Sequence, residues 1–340
     1  MRYCLWFFTV SSTLLLLSCS SSKSVKRFEG MRWESDGLYP VSLNGKTGFI
    51  NASGRLVIQP QFQSKGMLFS EGLSPMGTGG GSFGYIDKTG SFVINPRPIG
   101  EVGQFSEGMA LVSTGFREYG YIDRSGNLLR TPKLAGGKEF SDGLAPAGYD
   151  GFDGYIDKTG QFIIKPQFSD ADVFSEGLAA IAVKGKYGYI DKTGAVKIVP
   201  QFEAAGPFSE GLAPVQVGSK GGFIDKSGRI VINPQWKMAI AFSDGLAAVG
   251  DDKAGYIDRS GKVVIPLQFD KASMFSEGLA PVSLDGGRTY GYIDKSGKLV
   301  INPQFGDASP FFSEGIAMVT LGGKTGYIDR KGRYVWNPSN

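Results

Sequence analysis

Histidine is absent from the 340 residues, and the only two cysteines, Cys4 and Cys19, both fall within the first nineteen. The side chain that titrates nearest neutral pH is therefore missing, which removes Ser–His and Cys–His nucleophile schemes and nearly all zinc sites. No cofactor and no metal is expected, and the chain is not expected to be an enzyme. The catalytic alternative that remains is carboxylate chemistry of the kind used to cleave glycans. Charge of one sign is also scarce: 36 Lys and Arg against 32 Asp and Glu leave a net charge of +4, interspersed along the chain. That is not the basic stripe that tracks a phosphate backbone, so nucleic acid is not expected as a partner. No window carries a helix-period apolar face long enough to compete with strands. The one apolar run, Leu5 to Leu17, is too short and too interrupted by Ser and Thr to span a bilayer.

What the chain has in abundance is one phrase. GYID or a close variant occurs nine times, with its glycine at Gly48, Gly84, Gly120, Gly154, Gly188, Gly222, Gly255, Gly291 and Gly326, a spacing of 33 to 36 residues. Such a period builds an array of small units that contact mainly their neighbours. One unit reads FSEGLAPV, a variable stretch, GYIDKTG, a short apolar run and an NPQF-like close. The β-branched and aromatic residues on either side of DKTG, such as Tyr85, Ile86, Phe92, Val93 and Ile94, predict strands joined by a hairpin. Its Asp accepts from backbone N–H groups and its Gly takes a left-handed conformation. Asn51 replaces that Asp in the first copy, as a turn role allows.

Fourteen of the seventeen prolines occupy two positions of the unit. One set, such as Pro60, Pro200 and Pro338, is expected to end the hairpin; the other, Pro40, Pro75, Pro146, Pro214 and Pro281, is expected on an edge strand. Each unit offers about three large aromatics whose burial is worth about 2–3 kcal/mol apiece. Ordering the backbone costs on the order of 1–2 kcal/mol per residue. A lone unit cannot fold, so the aromatics have to pack across unit boundaries. The fold class is all-β, a tandem array of about nine three-stranded units. Nine units exceed the blade number of common propellers, which favours an open solenoid over a closed propeller. Trp33 and Trp336 are the expected plugs for its ends.

The first residues resemble a secretion signal, and Leu16, Leu17, Ser18 and Cys19 resemble the lipobox of bacterial lipoproteins. That resemblance implies a signal peptide over 1–18, lipidation at Cys19, a Ser-rich flexible tether over 19–32 and the β array over 33–340. Ser20 after the cysteine implies export to the cell envelope with retention at the outer membrane. The membrane, reached through a lipid on Cys19, is thus one expected partner.

The joint recurrence of GYIDKTG, the closing Pro and FSEGLA resembles the bacterial WG (KWG) β-repeat family over about nine-tenths of the chain. The Trp of the family name is missing, replaced by Phe83, Tyr119, Tyr187 and Tyr290 in four copies and by residues such as Thr47, Gly221, Ala254 and Thr325 elsewhere. The resemblance implies a β-repeat scaffold with no general catalytic activity and no particular ligand.

A binding site should break the repeat symmetry, and the most irregular stretch is the third to fourth copy. Phe116 and Tyr119 precede one GYID, Tyr149 and Phe152 the next, and a Gly-rich segment from Lys133 to Lys138 replaces PQF. These four aromatics are the candidate binding residues, suited to stacking on sugar rings or on a partner's side chains. The non-repeat acids Glu118, Asp150 and Asp153 are the candidates for carboxylate catalysis. The leading reading is a lipid-anchored envelope scaffold that binds a protein or polysaccharide without turnover. Its alternatives are a carboxylate-based glycan hydrolase and a structural envelope spacer.

Overall fold

In the computed structural model of the protein, residues 36–64, 66–100 and 102–339 are described. The expected signal peptide, the tether, Cys19 and Trp33 lie outside them. The described residues contain strands and turns without helix, arranged as nine small antiparallel sheets in sequence order. These nine units span residues 39–62, 74–97, 109–123, 136–168, 170–202, 204–236, 238–269, 271–305 and 307–339, and are called units one to nine.

Unit six shows the plan. An inner strand Ala204–Ala205 pairs with a second strand Leu212–Val217, which pairs with a third, Lys220–Asp225, and an outer one, Ile230–Trp236. Six sheets have this four-stranded order, two have three strands and one has two. The unit therefore gains a short inner strand over the expected three. Burial follows from position: the second strand is wrapped on both faces, and its first four residues, Leu212 to Val215, are all buried. The outer strand is covered on one side only, burying Ile232 and Trp236 while Ile230 and Val231 stay exposed.

Both proline expectations are corrected. Pro200 lies inside the outer strand Val196–Phe202, where the register jumps from Tyr189↔Ile198 to Tyr187↔Phe202. The extra residues form a bulge, and a residue without N–H fits there because no ladder bond is required of it. Pro214 sits on an interior strand opposite Phe223, where the inner strand Ala204–Ala205 has already ended, so no ladder donor is lost.

The missing Trp has a packing explanation. Its slot starts the third strand opposite the residue closing PQF, and the pairs there are Tyr187↔Phe202, Ala254↔Phe269 and Tyr290↔Phe305. In unit six the sizes are exchanged, with Gly221 opposite Trp236. In these four pairs at least one large ring fills the space, from either side, whereas in unit nine Thr325 stands opposite Ser339.

Aromatics pack across unit boundaries as expected. The GYID ring of one unit meets the FSEG ring of the next: Tyr189 and Phe208 at 4.9 Å, Tyr256 and Phe275 at 4.7 Å, Tyr292 and Phe311 at 5.0 Å. The tyrosine hydroxyl also donates to the next unit's backbone, Tyr189 to Gly206 O and Tyr256 to Ser273 O, both at 2.8 Å. Burial pushes these hydroxyls well above their ordinary pKa.

Each such interface forms one apolar cluster, and there are nine clusters among the described residues for nine units. An open row of nine units has eight interfaces; the ninth cluster joins unit nine to unit one. There Tyr39 packs on Phe312 at 5.1 Å and on Tyr327 at 5.6 Å, and the Tyr327 hydroxyl donates to Pro40 O at 2.9 Å. Where the sequence favoured free ends, the structure brings them together into a propeller-like ring. Trp336 does not plug an end; it lies beside this closing cluster, with its indole N–H donating to Ser339 Oγ at 2.9 Å.

Candidate functional site

One face of the ring carries the repeat-regular turns. In unit nine Phe312 N donates to Ile316 O, whereas in seven units the Ser of the SEG phrase and the residue three places on exchange backbone bonds, as Ser209 and Leu212 do at 2.9 and 3.1 Å. The two residues between them turn left-handed, Glu210 at φ 53° and Gly211 at φ 80°. A left-handed Glu is unusual, and the next unit compensates for it. Glu210 accepts from Gly245 N at 3.0 Å, Glu71 from Gly108 N at 2.9 Å and Asp244 from Gly278 N at 2.7 Å. The Ser hydroxyls point the same way around the ring, Ser175 to Phe208 O and Ser243 to Phe275 O, both at 2.7 Å. Lys226 of unit six reaches back to Glu176 at 3.1 Å, and Lys158 of unit four to Glu107 at 3.2 Å. The acids of the SEG phrases therefore form a row of inter-unit clasps paired with hairpin cations. Glu210→Ala should cost about 1 kcal/mol in urea unfolding, with Gly245 N left to water.

The DKTG turns share that face. Asp258 Oδ1 accepts from Ser260 N, Ser260 Oγ and Lys262 N at 2.9, 2.6 and 3.1 Å. Asn51 does the same at 3.1, 2.7 and 3.1 Å with Ser53 N, Ser53 Oγ and Arg55 N. Hydrogen bonds, first of all from the hydroxyl two residues on, hold the carboxyls of Asp87, Asp225, Asp258 and Asp294 below the usual carboxylate range. A carboxyl lowered in the folded state contributes stability above its unfolded pKa of about 3.9. That contribution is lost as pH falls through the lower folded value. Stability should hold from neutral pH to about pH 4 and decline below it. Asp→Asn at these four turns should flatten the decline, read as urea midpoints between pH 2 and 7.

The opposite face carries the hairpins between second and third strands, and there the units differ. Three of the four aromatics singled out by sequence stand on it. Phe116 tips its hairpin, 88% exposed, with the Arg117 guanidinium 5.2 Å from its ring centre. Tyr149 and Phe152 face each other across the Asp150–Gly151 turn, both exposed. Tyr119 is set back: it is half-buried, its N–H donates to Leu134 O at 2.9 Å, and its ring packs against the cluster between units three and four. Of the acids, Glu118 pairs with Lys133 at 2.8 Å and Asp153 accepts from Ala171 N at 3.1 Å, while Asp150 occupies the turn at φ 51°.

Sequence reasoning missed a wider pattern on this face. The residue five places after each SEGL leucine, or after Ile316 in unit nine, stands at the hairpin end of the second strand or one place beyond it, and in six units it is a large apolar residue. These are Leu43, Tyr149, Val183, Val217, Leu284 and Leu321, each more than a third exposed. The signal was available as a column of the repeat, but only the strand pairing shows that the column stands at the hairpin ends on one face.

The chain was compared with known proteins. The profile of the family described as "WG containing repeat" matches residues 48–80, 83–115, 119–151, 154–187, 187–220, 222–253, 255–287 and 290–324. No curated protein matches in sequence. Among solved structures, one titled as the eukaryotic initiation factor is similar with a TM-score of 0.64 at 13% identity, over 87% of this chain and 93% of that one. The computationally designed Ika8 protein is similar at a TM-score of 0.50 and 15% identity, over 79% and 94%. BamB from Moraxella catarrhalis follows at 0.46 and 12%, over 74% and 93%. At these identities the first two likenesses concern the fold alone, and the third carries no argument.

Proposed function

The chain belongs to the WG-containing repeat family, and from that premise we propose that it is a lipid-anchored cell-envelope scaffold that binds a protein or glycan partner without turnover. One observation supports this reading above others. The regular Ser, Glu, Lys and Tyr residues are engaged in holding units together and the regular Asp in holding its own turn, whereas the hairpin face breaks the symmetry with exposed Phe116, Tyr149 and Phe152. Large exposed aromatics gain more from a partner than from water. Glu118 and Asp153, candidates for hydrolysis, are already bound within the ring.

The test is a triple variant, Phe116→Ser, Tyr149→Ser and Phe152→Ser, whose exposed positions leave the fold intact. Cross-linking in the envelope should capture one dominant protein or polysaccharide with the parent chain and lose it with the variant. Equal capture by both would overturn the reading. The anchor is tested separately: Cys19→Ser should abolish incorporation of a labelled fatty acid and release the chain from the outer-membrane fraction.

A further inference from the structure

Units eight, nine and one are neighbours only because the ring closes, yet their hairpins share one pattern. It runs Ser283-Leu284, then Gly287-Arg288-Thr289; Thr320-Leu321, then Gly323-Lys324-Thr325; and Ser42-Leu43, then Gly45-Lys46-Thr47. The three leucines are 46%, 45% and 40% exposed. Beside them, Lys46 and Lys324 make no ion pair among the described residues, and Arg288 Nε donates to the Asp285 carbonyl of its own loop. The hairpins of units five to seven differ: there Lys186, Lys220 and Lys253 are tied to Glu203, Asp251 and Asp270 at 2.7, 3.0 and 2.6 Å.

The acids near the leucine hairpins are engaged. Asp285 accepts from Arg288 N, Thr289 N, Thr289 Oγ1 and Ser283 Oγ, all within its own loop. Asp270 holds Lys253 and Gly286 N, and Asp307 Oδ1 accepts from Ala308 N. The patch is thus three leucines with three cations, of which Lys46 and Lys324 have no ion pair among the described residues and Arg288 shares its loop with the Asp285 carboxylate. Leu43 and Leu321 occupy the same register position, each paired with the lysine three places on, and Leu284 follows directly on the end of its strand at Ser283; three such tips at the ends of neighbouring hairpins suit a flat occupant. A helix would need a groove, and the depression between Glu277 and Glu314 lies on the other face. Charge complementarity then selects the occupant: apolar tips that enter the headgroup layer beside cations that meet phosphates suit an anionic bilayer.

We propose that the hairpins carrying Leu284, Leu321 and Leu43 with Arg288, Lys324 and Lys46 form a docking surface for an anionic lipid bilayer. This contact is independent of any lipid on Cys19 and of the partner proposed above. The test uses residues 20–340, which retain all nine inter-unit clusters and leave out the apolar leader. Flotation with phosphatidylcholine vesicles and with vesicles containing about 30% phosphatidylglycerol should recover the protein with the anionic vesicles alone, and less so as salt rises.

Leu43→Ser, Leu284→Ser and Leu321→Ser together should weaken partitioning at least about tenfold, as should Lys46→Glu with Lys324→Glu. Val199→Ser, on the outer strand and 69% exposed, should change nothing; thermal melts confirm that each variant is folded. Equal recovery with both vesicle types, or an unchanged leucine variant, overturns the proposal. So does a patch that ignores vesicles while cross-linking to an acidic protein.

Discussion

Gly188→Ala is expected to destabilise the chain by at least about 3 kcal/mol, a larger effect than its single added methyl suggests. A Cβ at this position would lie 2.4 Å from Ile198 O and 2.6 Å from Pro200 N, both backbone atoms of the outer strand. No rotamer change relieves such a contact. The outer strand has to move away, which breaks the pairing of Tyr187 with Phe202 and of Tyr189 with Ile198. The same approach recurs at Gly84, Gly154, Gly222 and Gly291, where a Cβ would stand 2.3–2.6 Å from the nearest backbone atom. This is why GYID keeps its glycine while the preceding residue varies from Gly to Tyr. Urea unfolding of Gly188→Ala beside Ala195→Gly, an exposed turn change nearby, measures it. A loss below about 1 kcal/mol would show that the outer strand yields.

The second large effect concerns closure. Phe312→Ala removes a fully buried ring that packs on Tyr39, and Phe208→Ala removes one that packs on Tyr189 between units five and six. In a closed ring each opens one of nine seams, so each should cost about 3–5 kcal/mol in a single cooperative transition. In an open row, loss of Phe312 would loosen a terminal unit and leave the rest untouched. Tyr39→Phe makes a finer probe, since it keeps the ring but deletes the hydroxyl that donates to the Glu314 carboxylate. It should cost about 1 kcal/mol. A biphasic melt of Phe312→Ala, with a small first step, would contradict closure.

Closure was the part of the fold least visible in the sequence, for a physical reason. Whether a row meets its own end depends on a small rotation summed over nine junctions, and no single residue encodes that sum. The turn at Asp258 was legible because its three bonds lie within four residues. The cross-unit aromatic contacts were legible because a unit has too little core of its own. The inner strands were not: Ala204–Ala205 is two residues long and carries no pattern. The prolines misled because a bulge and a strand end look alike in one dimension. At the candidate site, Phe116, Tyr149 and Phe152, singled out by their irregularity, stand on one face. Tyr119, in the same irregular stretch, is drawn back by its pairing with Leu134. The closing seam also departs from the repeat in both partners, with Tyr39 where most units have Ala and Phe312 inserted after Phe311, the ring that meets Tyr292. Each substitution looks like drift until the two are seen in contact.

The repeated Ser, Glu and Tyr bonds between units share one direction, with Ser175, Glu210 and Tyr189 each reaching forward to the following unit, while hairpin lysines such as Lys226 reach back. A chain built on such contacts has a head and a tail, and the seam around Tyr39, Phe312 and Tyr327 joins them. Gene duplication could therefore enlarge this molecule only from within. A copy appended to either terminus would separate the two matched exceptions, whereas one inserted between units two and eight would find the contacts it needs on both sides.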